Sequence, residues 1–282
     1  MKVTGPIRQF DIKNKVFTVL IQNRIYYFYL QRNLMKKYSK YLFEGRYITF
    51  EAGEDFKIIH NVKCFRVDHF LRIYGQRHRK QIVFYDMYRV KKGITSLLES
   101  KQTRMFLDLE LSMHPYYKTK TFKQEIIQAG IVIENNEGVL ESHFDFVQPT
   151  QFPQITERTS KFLKIKQEQV DAGLTAIEFN KKLKYLVNKY DPKIYVWGRN
   201  DYLAIKDFAK FNRFRNPMPR HRFVNLLQIY KTYHNLKNDM GLFKCYESYG
   251  YTLEEQKHNA LEDAEITRLV FNAFRDQIKS HQ

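Results

Sequence analysis

The chain has 282 residues, 43% hydrophobic and 28% charged, with a formal net charge of +18, the composition of an ordinary soluble globular protein long enough for two modest domains. No segment reaches membrane-spanning length, and the N-terminus MKVTGPIRQF lacks the apolar run of a signal peptide. The two cysteines, Cys64 and Cys245, match no zinc or redox spacing, so reduced, buried thiols in a cytoplasmic protein are expected.

The charge is uneven. Residues 1–103 hold 21 Lys and Arg against 8 Asp and Glu, whereas the remaining 179 residues hold 27 against 22. A basic block of that size favours nucleic acid as a partner over a merely solvated surface.

In chain order, PIRQFDIK (6–13), KVFTVLIQ (15–22) and RIYYFYLQ (24–31) read as short strands, with junctions at Asn14 and Asn23–Arg24 that suit hairpin turns. RNLMKKYSKYLF (32–43) reads as a short helix, and RYITFEA (46–52) and NVKCFRVDHFLRI (61–73) as two more strands. Three strands, a helix and two strands is the order of a five-stranded OB-type barrel, a fold that often binds single strands. Alternation in the third strand separates Tyr27 and Tyr29 from Tyr26, Phe28 and Leu30. One face belongs to the core, and Tyr27 and Tyr29 are the candidates for stacking on bases. Residues 1–75 are thus an expected basic, OB-like binding module. Residues 76–103 are an expected connector, polar and basic over 74–81, apolar over 82–88 and amphipathic over 90–102.

From residue 104 the pattern changes. RMFLDLEL (104–111), EIIQAGIVIE (125–134) and VLESHFDFVQP (139–149) read as strands, the last two joined by a hairpin turn at Asn135–Gly138. A helix is expected over 175–190, with Ile177, Leu183, Leu186 and Val187 as its apolar stripe. A strand follows at 193–197, a helix from Asp201 to about Asn212 and a short strand near 222–226. Helical stretches are expected over 226–236 and 241–249, and a closing helix over about 259–278. Three antiparallel strands followed by alternating helix and strand predict an α/β domain with a mixed sheet over 104–282.

This second region carries the chemistry. Asp108 and Glu110 share one face of the first strand with Phe106, opposite Leu107 and Leu109. Acids on a helix-covered face are costly unless a cation or hydrogen bonds compensate. Asp263 lines up with Ile266, Thr267 and Val270 on the closing helix, and so faces inward near its first turn. Asp201 opens an earlier helix, where capping alone is also an ordinary use of Asp. His258 stands five residues before Asp263, at an edge from which an imidazole can take a proton from water. Four acids gathered at one point cannot all stay ionised without a cation, which suggests a divalent-metal site acting on phosphate esters.

The order D-x-E, D, H-x-A-x-x-D, with EIIQAGIVI, FDFVQP, VWGRNDYLAI and HNALEDAEITRLV around it, resembles the DEDD superfamily of 3′→5′ exonucleases. It is similar to the histidine (DEDDh, DnaQ-like) variant and, through the WG before the middle acid, to the Eri-1-like branch. The resemblance covers about residues 104–278 and implies a ribonuclease H-like fold, a mixed sheet flanked by helices. It also implies two Mg²⁺ or Mn²⁺ ions. Asp108, Glu110 and Asp263 would hold the ion that activates water, and Asp108 and Asp201 would help hold the second. His258 would be the general base. Ser112 stands where the family often has Thr, keeping the hydroxyl as a substrate contact. The implied partner is the 3′ end of single-stranded RNA or DNA, RNA favoured, with nucleoside 5′-monophosphates as products. A DNA proofreading or repair exonuclease is the nearest alternative, and a non-catalytic nucleic-acid-binding regulator the more distant one.

Overall fold

The structure is a computed structural model that describes residues 1–75, 82–117, 121–252 and 258–280. The expected basic stretch therefore lies mostly outside the described residues, over 76–81. The chain divides into two compact units, Met1–Lys92 and Gly93–Gln282.

The first unit opens with β1 (Lys2–Asp11), β2 (Val16–Ile21) and β3 (Arg24–Tyr29), an antiparallel meander. The β2–β3 turn is two residues, Gln22 and Asn23, both with positive φ, which matches the right-handed twist of the strands it joins. After α1 (Arg32–Tyr38) and a single 3₁₀ turn at Ser39–Tyr41 come β4 (Tyr47–Ile59) and β5 (Val62–Tyr74). β4 runs seven residues past the expected Ala52, through the polar stretch Gly53–Asp55, because it bulges and then resumes pairing with β5 at Phe56. The barrel closes where β3 pairs parallel with β5, giving the order β1–β2–β3–β5–β4 and back to β1. That closed ring is OB-like. Phe17, Phe28, Phe50 and Phe70 meet at its centre with no exposed surface. A sixth strand, β6 (Ile82–Tyr85), pairs with the end of β5 and leads into α2 (Met87–Leu98).

The second unit is built on a five-stranded sheet. β7 (Arg104–Leu111) lies at its centre, paired antiparallel with β8 (Ile126–Glu134), which pairs antiparallel with β9 (Val139–Phe146). Asn135 accepts hydrogen bonds from the Glu137 and Gly138 amides at the β8–β9 turn. Then follow two short helices, α3 (Glu157–Leu163) and α4 (Gln167–Asp171), which the sequence reading did not anticipate. α5 (Ala176–Tyr190) starts at a Thr175–Glu178 capping box. Its buried stripe is Phe179, Leu183, Leu186 and Val187, and Ile177, expected there, is exposed. α5 crosses over to β10 (Lys193–Val196), parallel to β7, and α6 (Asn200–Phe211) leads to β11 (Phe223–Asn225), parallel to β10. α7 (Leu226–His234), α8 (Leu242–Ser248) and α9 (Ala260–Ser280) complete the chain.

The sheet order β11–β10–β7–β8–β9 and the mixed strand directions form a ribonuclease H-like fold. One face of β7, with Met105, Leu107 and Leu109, packs into a core shared with α5 and α6. The other face presents Phe106 to Tyr195 and Phe271 of α9. β7 therefore lies between an antiparallel and a parallel neighbour. That is a switch in strand connection, where open α/β sheets leave a crevice at the strand ends.

Candidate active site

The four acids foreseen from the sequence come together at β7. Asp108 and Glu110 are half-buried on the α9 face of the strand, while Asp201 and Asp263 are buried. Each is placed by a local device. Asp201, in the first turn of α6, accepts a hydrogen bond from the Leu109 amide at 3.0 Å, so it is bound to the strand between Asp108 and Glu110. Asp263 does not cap α9. Asn259 does so, accepting from the Leu261 and Glu262 amides and leaving the Asp263 carboxylate free to face the sheet.

Close approach of α9 to the sheet depends on Gly130. It pairs with Asp108 across the β7–β8 ladder, and a Cβ there would sit 1.9 Å from the Ala260 carbonyl oxygen. Only a residue without a side chain lets the helix start directly over the strand. His258 lies two residues before that start, in a left-handed conformation (φ 45°), with its ring 4.3 Å from the ring of Phe162 on α3. Ligand-capable atoms of Glu110, His258 and Asp263 all lie within 4.8 Å of one another.

The electrostatics of this cluster are uncompensated. Among the described residues no Lys or Arg pairs with any of the four acids. Burial, then repulsion from Asp201, Asp263 and Glu110, raises Asp108 well above the usual carboxylate range. Burial, with Asp263 and Asp201 adding to it, pushes Glu110 up to about 7. Asp201 also rises to about 7 through burial, although the Leu109 amide opposes the shift. Burial and the charge of Glu262 bring Asp263 to about 6. Acids that repel one another in a largely buried cluster fit a divalent cation held by their carboxylate oxygens.

Two of the expected substrate contacts are buried in the fold. Ser112 is buried, and its hydroxyl accepts from the Glu125 amide while its own amide donates to the Glu125 carbonyl. It pins the end of β7 to the chain entering β8. Tyr29 is also buried, with the Lys57 ammonium 5.2 Å from its ring centroid, because the extended β4 covers that part of the barrel. Tyr27 remains half-exposed and lines a groove of about 190 Å³ with Gln9, Thr18, His60 and Cys64.

The model of the RNase T exonuclease family matches residues 106–271. The chain belongs to that family. Within it the arrangement of acids and histidine is that of a DEDDh exonuclease. The chain is 34% identical over 161 residues to the probable 3′-5′ exonuclease KapD of Bacillus subtilis, a match spanning 57% of this chain and 78% of the relative. The nuclease domain of 3′hExo, a DEDDh family member solved with rAMP, superposes with a TM-score of 0.57 at 18% identity, over 63% of this chain and 94% of that one. Cell-death related nuclease 4 gives a TM-score of 0.52 at 19% identity, over 64% of each chain. Both structures share the fold of the second unit.

Sequence reasoning missed three parts of this exonuclease site: Gly130, the Leu109 amide and Phe162. Gly130 carried a signal, a lone glycine inside an otherwise apolar strand, which marks close backbone approach. The amide carried none, since its partner lies 92 residues away. Phe162 sits on the unanticipated α3, although Thr156 caps that helix by accepting from the Thr159 amide, a local sign.

Proposed function

We propose that the protein is a divalent-metal-dependent 3′→5′ exonuclease that removes nucleoside 5′-monophosphates from single-stranded nucleic acid, with RNA preferred. The observation that carries this reading is the cluster of two buried and two half-buried acids that no Lys or Arg among the described residues pairs with, beside a histidine at the edge of the site. Asp108, Glu110 and Asp263 would hold one cation, and Asp108 and Asp201 would share a second. A divalent cation at such a site supplies acidification of water and neutralisation of phosphate charge. His258 accepts the proton from the attacking water. Water oxygen bonds to the terminal phosphorus, the bond from phosphorus to the 3′-oxygen of the preceding nucleotide breaks, and that oxygen takes up a proton. Phe162, against the His258 ring, limits the directions the imidazole can take.

Support for RNA comes from the Eri-1-like resemblance and from neighbours solved with rAMP and for recognition of a histone mRNA stem-loop. The basic first unit suits a polyanionic strand, and Tyr27 offers it a stacking surface. On this reading residues 1–75 form the binding module, 76–103 a connector and 104–282 the exonuclease domain.

Matched 5′-labelled RNA and DNA oligonucleotides, with Mg²⁺, Mn²⁺ or chelator, test the reading. Stepwise shortening from a free 3′ end, faster on RNA and abolished by a blocked end, is expected. No degradation with either ion, or equal degradation by wild type and Asp108→Ala, overturns it.

A further inference from the structure

Between the segment that follows β7 and the start of α3 lies a groove of about 670 Å³ to which neither the metal chemistry nor the proton transfer assigns a role. Its floor is the ring pair Phe122 and Phe152, with centroids 4.9 Å apart, and His114 packs beneath Phe122 at 4.8 Å. Its rim holds Tyr116 and Tyr117, which are 67% and 75% exposed, and Arg158 at the start of α3. Two tyrosines this open, side by side over an aromatic floor, gain nothing for the core.

The groove is rigidly tied to the reaction centre. The Met113 amide donates to Thr159 Oγ1, and Thr156 Oγ1 donates to the Met113 carbonyl, so α3 is fastened to the segment leaving β7 just past Glu110. The floor is held from the other side. Buried Glu125 accepts hydrogen bonds from the amides of Thr150, Gln151 and Phe152. α3 thus touches the groove at Arg158 and His258 at Phe162. These positions are about one helical turn apart, roughly 6 Å at 1.5 Å per residue. The rim's acid, Glu157, is engaged by Lys161 at 2.5 Å, which leaves the rim's charge to Arg158.

We propose that this groove binds the nucleotides adjoining the one being removed, with Tyr116 and Tyr117 stacking on their bases and Arg158 meeting a phosphate. An aromatic, positively rimmed surface one helical turn of α3 from the residue packed on His258 suits a single strand, because every base offers a π-face. The proposal rests on the exonuclease reading above and names where the rest of the strand lies.

The test uses the full chain with Tyr116→Ala/Tyr117→Ala and Tyr116→Phe/Tyr117→Phe. Substrates are the p-nitrophenyl ester of thymidine 5′-monophosphate, which has no second nucleotide, and single strands of four and ten nucleotides. The alanine pair should lose on the order of tenfold or more in kcat/KM on both strands, mainly through KM. It should hydrolyse the ester as wild type does, with an unchanged melting temperature, and the phenylalanine pair should retain activity. Equal use of the strands by the alanine pair overturns the proposal, as does an equal loss on the ester. If wild type cleaves none of the three substrates with Mg²⁺ or Mn²⁺, the exonuclease reading itself fails.

Discussion

The two ends of one strand face handle charge in opposite ways. At the start of β7, Arg104 is buried and donates to Glu134 at 2.9 Å, and to the carbonyls of Ser100 and Asn135. Arg268 and Asn272 complete the coordination of Glu134. Two turns of the pleat later the same face carries Asp108 and Glu110, half-buried against two further acids, with no Lys or Arg among the described residues paired to them. Phe106, Tyr195 and Phe271 lie between the two ends. Burial alone therefore does not mark a functional acid. Glu134 and Glu125 are as hidden as Asp201 and Asp263, yet they are saturated with donors. What distinguishes the acid cluster is that its demand for positive charge is not met among the described residues.

Asp108→Asn removes one member of the starved cluster and should have the largest effect. Oligonucleotide degradation should fall on the order of 1000-fold or more, about 4 kcal/mol of barrier. The metal-free variant should melt no lower than wild type, because a repelling charge has gone. A lower melting temperature in chelator would mean that Asp108 has structural partners after all.

At the other end, Arg104→Met strands a buried carboxylate and should cost about 3 kcal/mol, at the low end for a broken buried pair because Arg268 and Asn272 remain. Urea unfolding measures the loss, and kcat per folded molecule should not change. A neutral outcome would erase the contrast between the two ends.

The third test is pH. Glu110 and Asp201 titrate near 7 in the folded protein, above their ordinary values of 4.5 and 3.8. A raised carboxylate favours the folded state while protonated, and that stability is lost as pH climbs through the folded value. Asp201→Asn keeps an oxygen for the Leu109 amide and cannot ionise. In chelator its melting temperature should therefore gain on wild type between pH 4 and pH 7. Mg²⁺ should raise wild type at pH 7.5 by about 2.7 kcal/mol at a hundredfold excess over Kd. A gap that stays constant with pH would show that the cluster is compensated without metal.

Ser112→Ala has the smallest expected effect, about 1 kcal/mol from the lost hydroxyl acceptor at the Glu125 amide. KM should stay as it is. A raised KM with unchanged stability would restore Ser112 to the substrate surface.

Much of the second unit was legible in the sequence because its strands are long, apolar and cleanly alternating, and because helices such as α5 and α9 show a full apolar stripe. α3 and α4 span seven and five residues, too short for a period to show. Ile177 was misplaced because a helical stripe read one residue off the capping box still finds apolar side chains. In the first unit the order of elements was readable. The polar continuation of β4 was not, since its pairing depends on β5 and a bulge, and with it went the covering of Tyr29. The identities of the acids were visible, but the reason they meet was not. It lies in a backbone amide, a helix cap supplied by Asn259 and an absent side chain at Gly130.

The bond from Asp201 to the Leu109 amide also bears on the timing of activity. A helix made late in synthesis must find a strand made much earlier before the acid takes its place, and Asp263 arrives later still. A chain that stops before these helices cannot bring the four acids together. Assembly of the four-acid site is thereby a property of the finished fold.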